Sequence, residues 1–446
     1  MSIISIMKKL LVPIIGIILL VLAGIGATLY HQHTSYLNTA PIHANQNIKI
    51  AVLSDTHVLA EQLHDNGTAW KTFENTSAGM DINYNTQILQ ATITQLLQTK
   101  PAIVIIAGDL TSNGEARNAQ YLANQLTRLR KAGIKTYVIP GNHDINNPQA
   151  RSFKGAKTNL TDQMSPADFQ TIFQNDGYTQ ASTKDAASLS YLVKPAKKLW
   201  FLMLDSNIYD HNQALQKSAD DGYFKPATGR YITASLKAAK KAGATIIPVL
   251  HHSALVHGNL AGHFAVNNYQ TFDKVLREYG VHLTISGHMH AQSITTQAGL
   301  TDITQGALPV SPHYYGELTY DYHNHQLAYH AKPIDLLTTW TAKYGSSKAK
   351  QMLATDHAAL YQSGRRFAER MLTTSPATAK LSPQKQATYA DAFAQINVAT
   401  FAGTTSKSKK DLTLLRTIPD AELRQILRVS LSSQDNLNWS STGMTP

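Results

Sequence analysis

Hydrophobic positions along the chain alternate between short continuous runs and longer stretches with helical spacing. The short runs are typical of buried strands, and several of them end in Gly, Asp or Asn. They are IKIAVLSD (48–55), AIVIIAGD (102–109), IKTYVIPGN (134–142), SLSYLV (188–193), LWFLMLDS (199–206), TIIPVLH (245–251) and VHLTISG (281–287). Between them, apolar residues recur at helical intervals over 84–99, 115–132, 230–243 and 268–280. Buried strands joined by helices predict an α/β fold with a sheet covered on both faces.

The pattern changes towards the carboxyl end of the chain. Residues 291–334 have no helical period and predict antiparallel hairpins, one of which turns at 323–325. Beyond them, polar linkers separate three helix-like stretches, at 348–373, 384–399 and 420–431. We therefore predict a large α/β domain over residues 47–335 and a separate, mostly helical C-terminal domain over residues 336–446.

The first 30 residues carry a different signal. Lys8 and Lys9 precede an uncharged apolar run from Leu10 to Tyr30, which as a helix would span about 31 Å, close to the thickness of a bilayer core. The positive-inside rule keeps both lysines in the cytoplasm, so the chain after the run is expected outside it. We predict one transmembrane helix that anchors the protein in the cell membrane, followed by a polar tether over 31–46. A cleaved signal peptide, which would release a secreted protein, is the alternative.

Composition narrows the chemistry of the protein. The 446 residues include 19 histidines and no cysteine. The absence of cysteine excludes a disulfide framework, a thiolate zinc site, an iron–sulfur cluster and a cysteine nucleophile. Imidazole and carboxylate groups are therefore the metal ligands that this chain offers.

The formal charge of +11 lies mainly in the last quarter of the chain. After Trp340 there are 14 Lys and Arg residues against 7 Asp and Glu. No basic stripe interleaved with aromatic residues is visible, so we expect no specific nucleic-acid binding. Outside a cell, such a charge favours contact with anionic wall polymers or lipid headgroups.

Five polar motifs stand directly after predicted strands. They are SDTH with Asp55 and His57, AGDL with Asp109, PGNHD with Asn142, His143 and Asp144, LHHS with His251 and His252, and SGHMH with His288 and His290. Ligands of open α/β sheets bind at the carboxyl ends of strands, so we expect these segments to converge. Their oxygen and nitrogen ligands suit Mn, Fe or Zn. His251 and His252 point to opposite sides of a strand end, so only one of them can face a metal.

The series DTH, GD, GNHD, H and GHMH resembles the calcineurin-like metallophosphoesterase family over about residues 48–330. The resemblance implies a four-layer α/β/β/α sandwich that holds two metal ions. It assigns these ligands: Asp55, His57 and His290 to the first metal, Asn142, His251 and His288 to the second, and Asp109 as a bridge between both. It makes His251 the ligand in preference to His252. It gives His143 a contact with the phosphate and a part in leaving-group departure.

The expected chemistry follows from two cations held about 3.5–4 Å apart, which clamp a phosphoryl group and supply a metal-bound hydroxide as nucleophile. His143 is near enough to a ligand to donate a proton. Asp144 is either the partner that fixes the imidazole tautomer of His143 or a helix-capping residue. The segment 58–81 has no clear period and leaves directly from His57, so we expect a substrate-facing loop.

A further resemblance restricts the expected class of substrate. The complete Asp-x-His motif with a helical C-terminal extension resembles the bacterial cyclic-nucleotide phosphodiesterase branch, which implies hydrolysis of a phosphodiester such as a cyclic or extracellular nucleotide. Hydrolysis of a phosphomonoester, or of a wall or lipid phosphodiester, is the alternative among enzymes. A surface interaction protein with vestigial catalysis is the alternative in another class. The chain has no Gly-x-Ser-x-Gly elbow, phosphate-binding loop or dinucleotide fingerprint.

Overall fold

The computed structural model describes residues 40–43, 47–75, 77, 79–258, 264–404, 409–428 and 436–441. Lys8, Lys9 and the apolar run Leu10–Tyr30 lie outside these residues, so the predicted transmembrane helix stays a prediction. Within the described part of the chain, no helix combines the length and the apolar character needed to cross a membrane.

Strands and helices alternate through most of the chain, and both are numbered in chain order. The strands are β1 Ile48–Leu53, β2 Ile103–Ala107, β3 Lys135–Ile139, β4 Arg151–Lys154, β5 Lys157–Leu160, β6 Thr183–Lys184, β7 Tyr191–Ala196, β8 Leu199–Leu204, β9 Thr245–Leu250, β10 Leu283–Ser286, β11 Ser293–Gln297, β12 Leu300–Thr304, β13 Tyr314–Tyr320, β14 Leu327–Pro333 and β15 Asn438–Ser440. The helices are α1 Thr68–Glu74, α2 Asn85–Thr99, α3 Ala116–Lys131, α4 Pro166–Ile172, α5 Asn212–Leu215, α6 Pro226–Ala242, α7 Tyr269–Glu278, α8 Leu336–Tyr344, α9 Ser346–Thr374, α10 Pro383–Phe401, α11 Lys409–Leu415 and α12 Ala421–Arg428. A 3₁₀ turn at Glu61–Leu63 and a π-helical turn at Gln174–Tyr178 complete them.

The first sheet has six strands in the order β15-β14-β13-β1-β2-β3. Its strands β1, β2 and β3 are parallel neighbours. On the other side of β1, β13 runs antiparallel and forms a hairpin with β14, closed by the pairing of Tyr320 with Leu327. The hairpin predicted to turn at 323–325 is confirmed.

The second sheet has seven strands in the order β11-β12-β10-β9-β8-β7-β6. Its central strands β8, β9, β10 and β12 are parallel neighbours. The edge strands β6 and β11, and β7 next to β6, pair antiparallel with their neighbours. Each sheet therefore has a parallel part whose strands end at one edge, and every motif singled out in the sequence follows one of those strands.

The two sheets pack face to face, and helices cover their outer faces. Successive side chains of β8 point to opposite faces, as the pleat of a strand requires. Leu199, Phe201 and Met203 enter the core between the sheets, while Trp200 and Leu202 enter a second core beneath α6 and α7. Helices α2 and α3 pack on the first sheet. The predicted mixed α/β architecture of buried strands and covering helices is therefore confirmed.

The described part of the chain after residue 335 is mostly helical, as predicted, and has a small core of its own. Leu372, Tyr389 and Phe393 belong to this core, which joins α9, α10 and α11. Two other residues, Trp340 of α8 and Met352 of α9, are buried in the main core. Strand β15 pairs with β14. Core packing and a sheet ladder thus cross the predicted boundary between residues 335 and 336.

Short elements escaped the sequence analysis. The segment 58–81, predicted as a loop, contains α1 and the 3₁₀ turn, and the hairpin β4–β5 follows the third motif. Trp70 of α1 packs against Phe153 of β4 with ring centroids 5.8 Å apart. A helix of seven residues is marginal by itself, so this tertiary contact stabilises it more than local pattern does.

Candidate metal centre

The polar motifs continue the strand pairing beyond the ends of the strands. The N–H of Asp55 donates to the carbonyl oxygen of Gly108 at 3.0 Å, and the N–H of His57 donates to that of Asp109 at 2.9 Å. In the second sheet, the N–H of Gly287 donates to the carbonyl oxygen of His251 at 2.9 Å. These bonds fix the loops side by side at the carboxyl edges of the parallel strands, where convergence was predicted.

Five candidate ligands have a left-handed backbone, which non-glycine residues adopt at a cost of roughly 1–3 kcal/mol each. Their φ angles are 49° for Asp55, 40° for His57, 48° for Asp109, 68° for His288 and 58° for His290. A positive φ recurs at five of the seven candidate ligands. Such strain is concentrated at functional sites, because the surrounding fold must hold it.

Glycines in the motifs allow close approach of the backbone. A Cβ atom on Gly141 would lie 2.2 Å from both the backbone nitrogen and Oδ1 of Asp109. A Cβ atom on Gly287 would lie 1.9 Å from Oγ of Ser54 and 2.6 Å from Oδ2 of Asp55. Any larger residue at these positions would displace a candidate ligand.

One cluster brings together the four residues predicted for the first metal. Asp55, His57, Asp109 and His290 offer ligand atoms that all lie within 4.8 Å of one another. The Nε2 atoms of His57 and His290 are 3.0 Å apart, and Nε2 of His290 is 3.6 Å from Oδ1 of Asp55. The N–H of His288 donates to both oxygens of Asp55 at 3.1 Å, which orients that carboxylate.

A second cluster shares Asp109 with the first. Asp109, His251 and His288 offer ligand atoms within 4.8 Å of one another. Oδ1 of Asn142 lies 3.0 Å from Nε2 of His251, which adds the amide oxygen predicted for this site. Oδ2 of Asp109 is 3.6 Å from Nε2 of His57 and 3.3 Å from Nε2 of His251. The Asp109 carboxylate therefore lies between the two clusters, where a bridging ligand is required.

The donor set fits divalent cations. Two carboxylates, four imidazoles and an amide oxygen converge, and the carboxylates of Asp55 and Asp109 are 0% and 1% exposed. Buried charges and lone pairs that face one another are unfavourable unless a cation or a proton lies between them. Oxygen and imidazole ligands in this number suit Mn, Fe or Zn. Which of these metals binds stays a prediction.

Electrostatics keep most of the imidazoles neutral. Burial lowers the pKa of His290 to about 4 and lowers that of His57 and His288 well below the ordinary value. Burial also lowers the pKa of His251, but the adjoining Asp109 carboxylate outweighs it and raises the pKa to about 9. Neutral imidazoles have a lone pair free for a metal, and on His251 a metal would replace a proton.

Asp55 and Asp109 differ in their titration. Burial raises the pKa of Asp55 to about 7, against the opposing effect of His251. Burial would also raise the pKa of Asp109, but His251 and His143 hold it well below its usual range. The Asp109 carboxylate is thus ionised over the whole physiological range, which a ligand shared by two cations would require.

His143 lies beside the first cluster, and its ring is held from behind. The ring centroids of His143 and His57 are 5.0 Å apart. Nδ1 of His143 lies 2.9 Å from the carbonyl oxygen of Ser112 and 3.0 Å from Oδ1 of Asn113, so Nδ1 carries the proton and donates to both. The other ring nitrogen, Nε2, is left for chemistry at the site. Asn113 was not predicted from the sequence. It lies four residues after Asp109, and neither its residue type nor this spacing indicates a role in the site.

Asp144 does not have either predicted role. Its carboxylate accepts hydrogen bonds from the N–H groups of Leu110, Thr111 and Gly141 at 2.8–3.0 Å. It thereby ties the loop after β2 to the loop after β3. The tautomer of His143 is fixed instead by Ser112 and Asn113. The N–H groups that donate to the Asp144 carboxylate belong to loop residues, so Asp144 does not cap a helix. Asp144 is a bracing residue of the site.

The two histidines of the LHHS motif have different contacts. His252 is 0% exposed. Its Nδ1 lies 2.9 Å from Oγ of Ser206, and its Nε2 lies 3.2 Å from the carbonyl oxygen of Asp220. Both ring nitrogens therefore have partners outside the metal clusters, which leaves His251 as the candidate ligand.

A variant pair tests this separation. We expect His251→Gln to bind one metal per chain where the wild type binds two, because the second cluster loses a nitrogen ligand. His252→Gln should keep two metals but lose about 1–3 kcal/mol of stability, since buried partners are left unsatisfied. Metal content measured after dialysis, with thermal unfolding alongside, checks both. The reverse pattern would assign the ligand to His252.

Fold and site together define a protein with a candidate dinuclear metal centre at the edges of two sheets. The chain belongs to the calcineurin-like phosphoesterase family, whose sequence model matches residues 48–292. A comparison with curated proteins finds no match.

Three of the solved structures that the chain matches are a phosphatase, a putative nucleotidase and a membrane-complex anchor. A dimetal phosphatase from Danio rerio has 14% identity and a TM-score of 0.44, and the match covers 64% of this chain and 96% of that one. A putative 5'-nucleotidase from Staphylococcus aureus has 15% identity and a TM-score of 0.41, with 70% and 58% covered. GAP50, described as the anchor in the inner membrane complex of Plasmodium, has 12% identity and a TM-score of 0.37, with 65% and 86% covered.

Proposed function

We propose that this protein is a dinuclear metal-dependent phosphodiesterase. The observation that carries the proposal is the pair of clusters that share the Asp109 carboxylate. Bound there, two cations would polarise a phosphoryl oxygen and lower the pKa of a water molecule. Family membership supports phosphoester hydrolysis, and the choice of a diester rests on the resemblance to cyclic-nucleotide phosphodiesterases.

The side chains of the site divide the work. Asp55, His57 and His290 would hold one cation, and Asn142, His251 and His288 would hold the other. Asp109 would keep the two cations at a fixed spacing against their repulsion. His143, with Nδ1 occupied by Ser112 and Asn113, would present Nε2 to a phosphate oxygen or to the leaving group.

A substrate panel tests the proposal directly. Purified residues 47–446 with added Mn should hydrolyse a bis-aryl phosphate and a cyclic nucleotide faster than an aryl phosphomonoester or a glycerophosphodiester. Faster monoester hydrolysis would make the protein a phosphomonoesterase. If the wild type is inert with Mn, Fe, Zn and Ni, the phosphoesterase proposal fails and an interaction protein with vestigial catalysis replaces it.

The role of His143 has its own test. We expect His143→Ala to retain two metals and to lower kcat by about 10²–10⁴-fold, the usual contribution of a positioned proton donor. The exposed His211→Ala is the matched control and should have wild-type turnover. Loss of metal from His143→Ala would mean that His143 is itself a ligand.

We further propose that the protein is anchored in the cell membrane by residues 1–30, with the catalytic part outside the cytoplasm. The support is the sequence of Lys8, Lys9 and the apolar run Leu10–Tyr30. The basic C-terminal part would then face anionic wall polymers or lipid headgroups. Protease added to intact cells should degrade residues 47–446 of the anchored protein, whereas a secreted protein would appear in the medium.

A further inference from the structure

Three buried titratable side chains from distant segments meet where the C-terminal helices contact the α/β part. They are Asp81, just before α2, His313, just before β13, and Asp356, within α9. Their exposed fractions are 4%, 2% and 1%. None of the three belongs to the two metal clusters, so their burial requires another explanation.

Hydrogen bonding within this Asp–His–Asp cluster depends on protons shared between acceptors. Nδ1 of His313 lies 2.8 Å from the carbonyl oxygen of Leu308, and Nε2 lies 2.8 Å from Oδ2 of Asp356. The carboxyl groups of Asp81 and Asp356 lie close enough for Asp356 to raise the pKa of Asp81. Oδ2 of Asp81 and Oδ1 of Asp356 are buried and have no hydrogen-bond partner among the described residues. A proton shared between the two carboxyl groups would satisfy both atoms.

The three contacts need three protons. An imidazolium ring supplies two, and a carboxyl proton shared by Asp81 and Asp356 supplies the third. In this state one positive and one negative charge cancel, so the cluster is neutral, which burial favours. Loss of either titratable proton leaves a buried net charge and two acceptors in contact.

The groups that face the cluster agree with this protonation. Burial, with the added effect of Asp356, raises the pKa of Asp81 to about 7. Burial lowers the pKa of His313, but the hydrogen bond to Asp356 outweighs it and the pKa is raised. Tyr84, which also faces the pair, has its pKa raised by burial and by Asp81, so it stays neutral.

A single loop, residues 305–313, connects this cluster with the first metal cluster. The N–H of Leu308 donates to the carbonyl oxygen of Ser54 at 3.1 Å, directly before Asp55. The N–H of Ala307 donates to the carbonyl oxygen of His290 at 3.0 Å. The loop therefore supports the backbone at two candidate ligands of the same metal.

The same loop is held from behind by the Asp–His–Asp cluster and by α9. His313 donates to the Leu308 carbonyl oxygen, and the N–H of Asp81 donates to the carbonyl oxygen of Pro309 at 2.7 Å. Leu360 of α9 packs on Ala307. Displacement of Asp356 would therefore remove a support of the loop that contacts Ser54 and His290.

We propose that Asp356 is a positioning residue: through His313, and paired with Asp81, it fixes the loop that places Asp55 and His290. The C-terminal helix α9 thus sets the geometry of the first metal cluster. The effect on turnover rests on the proposed phosphoesterase activity, whereas effects on metal affinity and on the pH dependence of unfolding do not.

The pH dependence has a defined sign. Because the pKa of Asp81 is raised to about 7 from an ordinary value of 3.8, its stabilising contribution is complete below pH 3.8 and is lost as the pH rises through about 7. The raised pKa of His313 continues the loss above pH 6.5. The unfolding midpoint should therefore fall between pH 5 and 8 by more in the wild type than in a variant without the carboxyl pair.

The test uses two substitutions in the full chain, Asp356→Ala and Asp356→Asn. We expect Asp356→Ala to weaken Mn binding at one of the two sites by about 10–100-fold and to lower kcat similarly with little change in KM. In Asp356→Asn, the amide N–H can donate to the Asp81 carboxylate, so no shared proton is needed. This variant should recover most of the Mn affinity and most of kcat, and the pH dependence of its unfolding midpoint should be flatter. The control is Glu369→Gln on the same helix, whose carboxylate forms a surface pair with Arg365 at 3.1 Å.

Each outcome decides the proposal. The proposal is overturned if Asp356→Ala has a Mn affinity and a kcat within twofold of those of Glu369→Gln. It is also overturned if the unfolding midpoint of Asp356→Asn depends on pH as strongly as that of the wild type. If Asp356→Ala fails to fold, the slope of Asp356→Asn decides. If the wild type hydrolyses no phosphoester, Mn titration and unfolding still decide the positioning role, while the failure in hydrolysis counts against the proposed function alone.

Discussion

Replacing Asp109 by asparagine is expected to lower phosphoester hydrolysis by about a thousandfold or more and to reduce bound metal. A metal centre supplies several kcal/mol of transition-state stabilisation, and each 1.36 kcal/mol is about tenfold in rate. Asp109 is the one residue common to both clusters. A carboxylate has two oxygen atoms and a negative charge, whereas an amide has one oxygen atom and is neutral. The amide therefore cannot bridge two cations that lie close together.

The surroundings of Asp109 make this effect local. Asparagine has the volume of aspartate, and its oxygen can still accept from the N–H of His143, which lies 2.9 Å from Oδ1 of Asp109. We therefore expect a folded protein with altered metal content, measured by elemental analysis, next to the control Asp302→Asn. Asp302 is equally buried but hydrogen-bonds to Thr284, Ser286 and His257 outside the clusters. Wild-type metal content and turnover in Asp109→Asn would remove the bridge from the mechanism.

The convergence of the candidate ligands was predictable because strand ends are readable from sequence. A continuous apolar run fixes where a strand ends, and parallel neighbours bring those ends together. Asp55, Asp109 and His251 each follow such a run by one or two residues, so pattern alone placed them at one edge. The resemblance added the assignment to particular metals, which stays a prediction; the Asp and His residues that it assigns to each metal lie in one cluster.

Side-chain partners within the loops were not predictable in the same way. Asp144 was expected beside His143 because the two are adjacent in sequence. Adjacent residues in a loop point in different directions, and the left-handed backbone at the ligands makes those directions irregular. Asp144 therefore braces Leu110 and Thr111, while Asn113 takes the place beside His143. His257, six residues after His251, is buried and contacts Asp302 and Ser293 instead of the candidate ligands.

The extent of the C-terminal part was the hardest feature to predict. A change from strand pattern to helix pattern at residue 335 is visible in the sequence, but pattern does not show which core a helix enters. Leu336 and Trp340 belong to the main core, whereas Leu372 and Phe393 belong to the small one. A three-residue strand such as β15 has too few positions for its pairing to be read from alternation.

Trp340→Ala is the substitution from which we expect the largest loss of stability. The Trp340 ring is 1% exposed and lies 5.6 Å from the ring of Tyr84, measured between centroids. Removal of a buried tryptophan typically costs about 3–5 kcal/mol through lost burial and the cavity left behind. The midpoint of denaturant unfolding should therefore shift to lower denaturant concentration with little change in slope.

The Trp340 variant also decides how far the helices after residue 335 are part of the α/β unit. Leu337, three residues earlier in α8, is 45% exposed, so Leu337→Ala should change the free energy of unfolding by only about 0.5 kcal/mol. The cavity left by Trp340 would adjoin Tyr84, which directly precedes α2. The next residue, Asn85, donates from its side chain to the carbonyl oxygen of His57 at 3.2 Å, so two contacts connect the cavity with the candidate metal centre. We expect Trp340→Ala, unlike Leu337→Ala, to weaken metal binding as well as folding. Equal unfolding curves for the two variants would mean that α8 is dispensable and that a separate domain begins at residue 336.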